Sequence, residues 1–204
     1  MTNSTRRLIS CSLGTIALTL ALGSWVPSPD SLSPSLALVL PLPPTSVESE
    51  VVTEGMSYHP KQFRNLIERM LDAHDPKLAS ESAVLLLLGT AAQESKFGTY
   101  LMQTGQGPAI GAFQMEPATF RWLQQEFAHE YPALLMRYPR EMEWDLRLAV
   151  IMARLRYRVV KDPLPGTDPV ALAEYWKKHY NTSAGKGTPE EFIANWKKYV
   201  EGRV

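Results

Sequence analysis

The strongest constraint on the fold of this 204-residue chain is an uncharged apolar run from Ala83 to Ala92. Leucines at the centre of the run favour a helix, and that helix would be apolar on every side. A helix of this kind must be surrounded by other parts of the chain. The run therefore predicts a central buried helix, and we expect it to begin at Ser80 or Ser82.

The remainder of residues 56–204 also favours helices, because apolar residues recur there at helical spacing and no convincing strand pattern occurs. Helix starts are predicted near Pro60, at Pro117, at Thr167-Asp168-Pro169, and at Thr188, which forms a capping box with Glu191. We expect a compact all-α domain whose inward side chains are Phe63, Leu66, Ile67, Met70, Leu71, Phe120, Leu123, Phe127, Trp144, Leu148, Ile151, Leu155, Leu172, Tyr175, Trp176, Phe192, Trp196 and Tyr199. The helix of Trp144 is expected to reach about Val160.

Glu94 is the first candidate for chemistry because it follows the apolar run directly. A carboxylate at the end of an apolar helix is costly to desolvate, so its acid form is favoured and its pKa should rise. A carboxyl that stays protonated near neutral pH can act as a general acid. The alternative interpretation is a structural ion pair with Lys96 or a nearby arginine.

A glycine-rich loop follows Glu94 and contains no Asp or Glu between Ser95 and Met115. Glycines at such density allow the backbone to approach a ligand closely. Gln114 adds an amide that both donates and accepts hydrogen bonds, as sugar hydroxyl and acetamido groups require. Aromatic rings can stack on sugar faces, and we expect this of Tyr180; Tyr175 and Trp176 could serve either the core or the ligand.

Three motifs in this order resemble the soluble lytic transglycosylase group of the lysozyme superfamily: Glu94-Ser95, the segment from Gly111 to Thr119, and Tyr180-Asn181. The resemblance covers roughly residues 66–200. The second motif reads Gly-Ala-Phe-Gln where that family has Gly-Leu-Met-Gln, and the third continues with Thr-Ser-Ala-Gly instead of Ala-Gly.

The resemblance implies a lysozyme-like helical domain that cleaves peptidoglycan glycan strands and leaves a 1,6-anhydro product. It also implies that Glu94 is the single catalytic acid and base. The residues that it implies for substrate binding are Ser95, Gln114, Met115, Tyr180 and Asn181. We further expect the Ser95 hydroxyl to hold the Glu94 carboxyl.

Two rival functions remain open at this stage. Ordinary glycosidases use two carboxylates, and Glu116 is the nearest second candidate for a hydrolytic muramidase. We expect Glu116 instead to cap the helix that starts at Pro117, where a carboxylate suits the helix dipole. The other rival is a non-catalytic domain of lysozyme-like fold that binds wall glycan or serves as a structural part of a phage particle.

The amino-terminal region predicts export. Residues 1–26 have the layout of a signal peptide, with Arg6-Arg7 before an apolar run and small residues after it. Membrane anchoring through residues 8–26 is the competing interpretation. Residues 27–55 are rich in proline and serine and predict an extended linker. We expect a periplasmic or secreted protein, or a virion-associated one if Met56 is the true start.

Composition argues against several other classes. Basic and acidic residues number 21 each, and residues 56–204 carry a surplus of only about two positive charges, which does not suggest nucleic acid as a partner. The single cysteine, Cys11, allows no intrachain disulfide. The four histidines show no metal-ligand spacing. We therefore expect a monomer without metal or cofactor.

Overall fold

The computed structural model describes residues 58–105, 107–183 and 185–204. Its six α-helices are α1 (Pro60–His74), α2 (Glu81–Ser95), α3 (Pro117–Glu126), α4 (Leu146–Arg158), α5 (Pro169–Trp176) and α6 (Pro189–Tyr199). Short 3₁₀ turns span Pro76–Leu78, Pro132–Met136 and Pro139–Glu143, and a π-helical turn, Lys177–Asn181, extends α5. These residues form no strand and only two isolated β-bridges. The all-α prediction is confirmed for the described part of the chain.

Helix α2 lies at the centre of this architecture. Ser80 caps it, with its hydroxyl accepting a hydrogen bond from the Ala83 N–H, and every residue from Ala83 to Ala92 is buried. Helices α1, α4, α5 and α6 all pack against it. The contact with α6 is close at Gly89, where an added Cβ would lie 2.3 Å from the Phe192 ring. The predicted central helix is thus enclosed by its neighbours.

Helices α1, α3, α5 and α6 begin where their sequences predict. Proline occupies the first turn of α1, α3, α5 and α6, where its missing N–H costs no hydrogen bond. Asp168 caps α5, and Thr188 forms the predicted capping box with Glu191 at α6. Of the predicted core residues, all but three are buried. Leu66 and Met70 are partly buried against the core.

Trp144 is the exception, and its predicted place in the core is wrong. The side chain is 70% exposed. Helix α4 begins only at Leu146, because Asp145 is its N-cap and accepts a hydrogen bond from the Leu148 N–H. Trp144 therefore precedes the helix, and the helical spacing that placed it inward does not extend to it. The same helix ends at Arg158, slightly before the expected Val160.

The predicted signal peptide or anchor, residues 1–26, and the predicted linker, residues 27–55, lie outside the described residues. Within the described ranges, no helix is long and apolar enough to cross a membrane.

Candidate active site

An open groove with a volume of about 690 Å³ runs past the carboxyl end of α2. Its walls come from α2, from the loop that joins α2 to α3, from α3, α4 and α5, and from the π-helical turn with the segment after it. Five of the residues singled out from the sequence line it: Glu94, Gln114, Met115, Tyr180 and Asn181. Residues from three distant parts of the chain therefore meet in one site.

Glu94 lies in the last turn of α2, partly buried, with its carboxyl on the groove. Burial raises the pKa of this carboxyl to about 7, and a hydrogen bond from Trp176 acts in the opposite direction. That bond joins the indole Nε1–H to Oε1 over 3.0 Å. Among the described residues Glu94 forms no ion pair, so the pairing with Lys96 or an arginine is not made. A carboxyl with this pKa holds a proton near neutral pH and can donate it.

The chain turns sharply after Glu94, which separates the carboxyl from the rest of the loop. Lys96, Phe97 and Gly98 have φ values of 50°, 58° and 77°, a left-handed run that is uncommon for residues other than glycine. Packing stabilises it, because the Phe97 ring is fully buried and meets Phe63 edge-on at 5.2 Å. Backbone strain of this kind is often found at functional sites.

Ser95 secures that turn and does not line the groove. Its side chain is fully buried. The hydroxyl accepts a hydrogen bond from the Gly98 N–H at 2.7 Å and donates one to the Ala112 carbonyl at 2.6 Å. Its bonds go to backbone and none goes to Glu94, which corrects the expectation that Ser95 holds the carboxyl. Ser95 joins the two ends of the loop, and in this conformation it is not placed to contact a ligand.

The groove floor is built by the segment from Gly111 to Met115. Gly111 has a φ of 77°, and a Cβ added to it would lie 2.6 Å from the Met142 carbonyl oxygen, so only glycine fits. Gln114 also has a positive φ, 45°, and its amide nitrogen donates to the Gly111 carbonyl at 2.9 Å. The Gln114 carbonyl oxygen and its second N–H remain for a ligand. Met115 is nearly buried beside it.

Tyr180 lies on the groove wall, and one hydrogen bond and one ring contact hold it there. Its hydroxyl donates to the Phe113 carbonyl at 2.8 Å, and its ring lies 5.2 Å from that of Tyr157. The Tyr157 hydroxyl is hydrogen-bonded to Thr90 at 2.7 Å. Thr90 precedes Glu94 by four residues, so both side chains project from the same face of α2. The face that presents Glu94 therefore also positions Tyr180.

Asn181 is held by Lys177 from within the same π-helical turn. The Lys177 ammonium donates to Asn181 Oδ1 at 2.8 Å and to the Gly185 carbonyl at 2.9 Å. The amide oxygen is therefore engaged, and the Asn181 N–H₂ group remains as a donor for a ligand. A π-helical turn is rare and is frequently found at functional sites.

Glu116 lines the same groove and is exposed. It occupies the N-cap position of α3, as predicted, but its side chain makes no capping hydrogen bond. Its carboxylate is not among the causes of the raised pKa of Glu94, which are burial and the Trp176 bond.

Three further groove residues have roles that the sequence did not assign. Trp176 is buried in the core and is the hydrogen-bond donor to Glu94. Tyr100 has a pKa raised by burial and by the Glu94 charge. Arg156 projects from α4 one turn after the buried residue Met152, so both side chains lie on the same face of the helix. An arginine on this apolar face is the sequence signal that points to it.

Within the described ranges, no three His, Cys, Asp or Glu side chains are grouped to hold a metal ion. The chemistry available in the groove comes from the Glu94 carboxyl, the exposed Glu116 carboxylate, amide and hydroxyl groups, and cationic side chains along the wall. Neither a family model, nor a curated protein, nor a solved structure matches this chain.

Proposed function

We propose that this protein is a lytic transglycosylase of lysozyme-like fold that cleaves peptidoglycan between N-acetylmuramic acid and N-acetylglucosamine. The observation that carries the proposal is a glutamic acid with a pKa of about 7 at the wall of an open groove. The convergence of Glu94, Gln114 and Tyr180 on that groove adds support, because these residues carry the resemblance to the transglycosylase group.

Glu94 acts twice in the proposed reaction. Its acid form donates a proton to the glycosidic oxygen while the bond from that oxygen to C1 of the muramic acid breaks. The acetamido oxygen of the same sugar stabilises the positive charge that develops at C1. The Glu94 carboxylate then removes the proton from the C6 hydroxyl, whose oxygen bonds to C1 and closes the anhydro ring. The acid form is regenerated and no water is consumed.

The environment of Glu94 favours a route with one carboxylate. In a retaining glycosidase, the two carboxyl groups lie about 5 Å apart, close enough for each to shift the other's pKa. The pKa of Glu94 is raised by burial, with no contribution from a second acid. The free amide groups of Gln114 and Asn181 are suited to hold the acetamido group that replaces the second carboxylate.

Mass spectrometry of digested peptidoglycan tests the reaction type. We expect muropeptides with anhydro ends, which are lighter by one water than the products of hydrolysis. Products with only reducing ends would contradict the transglycosylase assignment. They would indicate the second candidate, a hydrolytic muramidase, which is favoured by the presence of Glu116 in the same groove with no capping bond.

Glu116→Gln separates these two candidates. A transglycosylase that uses Glu94 alone should keep its turnover within a few-fold, because Glu116 takes no part in proton transfer. A muramidase should lose on the order of 10²-fold or more, because it would lack its base. The measurement is the rate of glycan cleavage at saturating substrate for both proteins.

Glu94→Gln tests whether the domain is an enzyme at all. Glutamine keeps the shape of the side chain and cannot donate the proton, so the cleavage rate should fall on the order of 10²-fold or more. Binding of glycan strands should survive, since the groove walls are unchanged. If wall clearing is undiminished in this variant, the catalytic assignment of Glu94 is wrong. Loss of cleavage in a variant that no longer folds, judged by its circular dichroism, would not count.

A further inference from the structure

Arg156 is a cation that faces the groove without an acidic partner in the described part of the chain. Its side chain is partly buried and lines the wall formed by α4. No ion pair or hydrogen bond of its guanidinium is formed within the described ranges, whereas Arg158, two residues on, is paired with Glu130 at 2.8 Å. Burial of a charge is costly unless a partner compensates it. Arg156 has no such partner within these residues, and its N–H donors are available to a ligand.

Trp122 on α3 makes a cation–π contact with this guanidinium. The Arg156 Cζ atom lies 5.9 Å from the centre of the Trp122 ring, within the range of a cation–π contact. The indole is 46% exposed, so it forms an open edge next to the groove. Thr119, one helical turn before Trp122, lines the groove itself. The wall thus continues from Thr119 through Arg156 towards an exposed aromatic ring.

Arg156 forms no ion pair with the Glu94 carboxyl among the described residues. The pKa of Tyr180, raised mainly by burial, is affected by both charges: Glu94 raises it and Arg156 lowers it. The pKa of Glu94 is not affected by Arg156. A cation paired with Glu94 would stabilise its carboxylate and reduce the fraction of acid form, so the absence of this ion pair among the described residues preserves the proton donor.

The charges of the groove favour an anionic ligand. Arg156 and Lys186 are its cationic lining residues. When Glu94 is protonated, Glu116 is the one lining side chain among the described residues that opposes them. Polar groups alone would suffice for a neutral polymer of N-acetylglucosamine. A guanidinium with unused donors is instead suited to bind a carboxylate through two parallel hydrogen bonds.

We propose that Arg156, oriented by Trp122, binds a carboxylate carried by a substituent of the glycan strand and makes the groove selective for carboxylate-bearing strands over neutral ones. This inference rests on the proposed function for the identity of the strand. It assigns Arg156 to substrate selection, at a distance from the bond that is cleaved. It also gives the Arg156–Trp122 contact a role, because a guanidinium restrained by a neighbouring ring loses less freedom when it binds.

Binding in the Glu94→Gln background tests the proposal separately from catalysis. The ligands are short fluorescent peptidoglycan strands with their peptides, either native or with their carboxyl groups converted to amides. We expect Arg156→Gln to weaken binding of native strands roughly tenfold and to leave binding of the amidated strands unchanged. Arg156→Lys should retain part of the preference, because the charge remains and the paired hydrogen bonds do not.

The matched control is Arg121→Gln. Arg121 is an exposed arginine on α3 that does not line the groove, so its loss changes net charge by the same amount and should not change the preference between the two ligands. Trp122→Leu should weaken binding of native strands by a few-fold. Combined with Arg156→Gln, it should add nothing further if the indole acts through the guanidinium.

Three results would overturn the proposal. The first is equal binding of native and amidated strands by the Glu94→Gln protein. The second is an Arg156→Gln effect of the same size on both ligands, and the third is no strand binding at all. Failure of the proposed function would be seen in a different experiment, as the absence of cleavage products from the unchanged protein. Selective binding of native strands without cleavage would still support the carboxylate subsite.

Discussion

At the residue scale, Glu94 is governed by two contacts that act in opposite directions. Burial at the end of α2 favours the protonated carboxyl, whereas the Trp176 indole N–H stabilises the carboxylate. Burial dominates, so the pKa is about 7. A general acid with a pKa near neutral pH is both protonated often enough to act and acidic enough to transfer its proton. The tryptophan thus keeps the pKa from rising further.

Trp176→Phe should shift the pH dependence of cleavage. The phenyl ring keeps much of the apolar packing but removes the N–H that stabilises the Glu94 carboxylate, so the pKa of Glu94 should rise. A general acid loses activity as pH increases through its pKa, and the falling limb of the kcat/KM profile should therefore move to higher pH. The measurement is the kcat/KM profile from about pH 5 to about pH 9, a range that covers the ionisation of Glu94.

Trp196→Phe is the matched control for this prediction. Trp196 is another buried tryptophan, stacked on Phe192 in α6, and it does not line the groove. The same substitution there should alter stability without moving the falling limb. A Trp176→Phe limb that stays in place, or moves to lower pH, would show that the indole does not hold the carboxylate.

At the element scale, the loop from Ser95 to Met115 is shaped by its two ends. Ser95 links the exit of α2 to the Ala112 carbonyl, and Gly111 lets the floor pass close to Met142. Neither residue needs to touch a ligand to matter, because together they set where Gln114 lies relative to Glu94. The groove is therefore as dependent on these backbone contacts as on the side chains that line it.

Gly111→Ala should damage both stability and activity. An alanine there would combine a left-handed φ with a Cβ 2.6 Å from the Met142 carbonyl oxygen, and we expect a stability loss of about 1–3 kcal/mol. The displaced floor should also raise KM. The measurements are denaturant unfolding and cleavage kinetics.

Gly105→Ala isolates the cause of that loss. Gly105 also has a positive φ, 96°, but an added Cβ would meet nothing within 4 Å. It should therefore show the cost of the backbone conformation without the clash. If the two variants lose the same stability and both keep a normal KM, the close approach of Gly111 to Met142 does not shape the groove.

The elements were predictable where their determinants are local. Proline at the first turn of α3 and the Thr188–Glu191 capping box each act within a few residues, so the sequence indicates them directly. The prediction that Trp144 lies in the core is wrong because Asp145 caps α4 and the helix begins after Trp144. Helical spacing places a side chain only within the helix. Glu116 takes the predicted N-cap position of α3, but its side chain is exposed to the groove and forms no capping hydrogen bond.

The site was predictable only in part, because much of it depends on contacts between distant residues. The position of Glu94 after an apolar run indicated a raised pKa, since desolvation follows from local burial. Trp176, whose indole N–H lowers the pKa of Glu94, is 82 residues away along the chain, and no local pattern indicates that bond. The hydrogen bonds of Ser95 to the backbone and the position of Arg156 on the groove likewise depend on how α2, the loop and α4 pack together.

At the scale of the whole molecule, the raised pKa of Glu94 has a cost in stability. In the unfolded chain this carboxyl ionises around its ordinary value of 4.5, whereas in the fold it ionises at about 7. The folded state thus binds more protons between these values, and folding stability falls as pH rises through that window. Above pH 7 the loss is complete and amounts to on the order of 3 kcal/mol.

Glu94→Gln should therefore stabilise the protein in a pH-dependent way. The glutamine has no charge to desolvate, so its melting temperature should exceed that of the unchanged protein at pH 8, by several degrees, and the difference should shrink towards pH 4. The measurement is the melting temperature of both proteins across this range. A difference of the same size at pH 4 and pH 8 would show that ionisation of Glu94 does not oppose folding.

The Tyr180 hydroxyl has a consequence for what can dock in the groove. Its single hydrogen is already given to the Phe113 carbonyl, so only its lone pairs remain. A molecule that reaches this oxygen must bring a hydrogen of its own, as an amide N–H or an alcohol does. An ether or ester oxygen at the same point has no hydrogen to donate, so it would form no hydrogen bond with the Tyr180 oxygen and the two oxygens would repel each other. Inhibitors aimed at this wall should therefore be built with donors facing Tyr180.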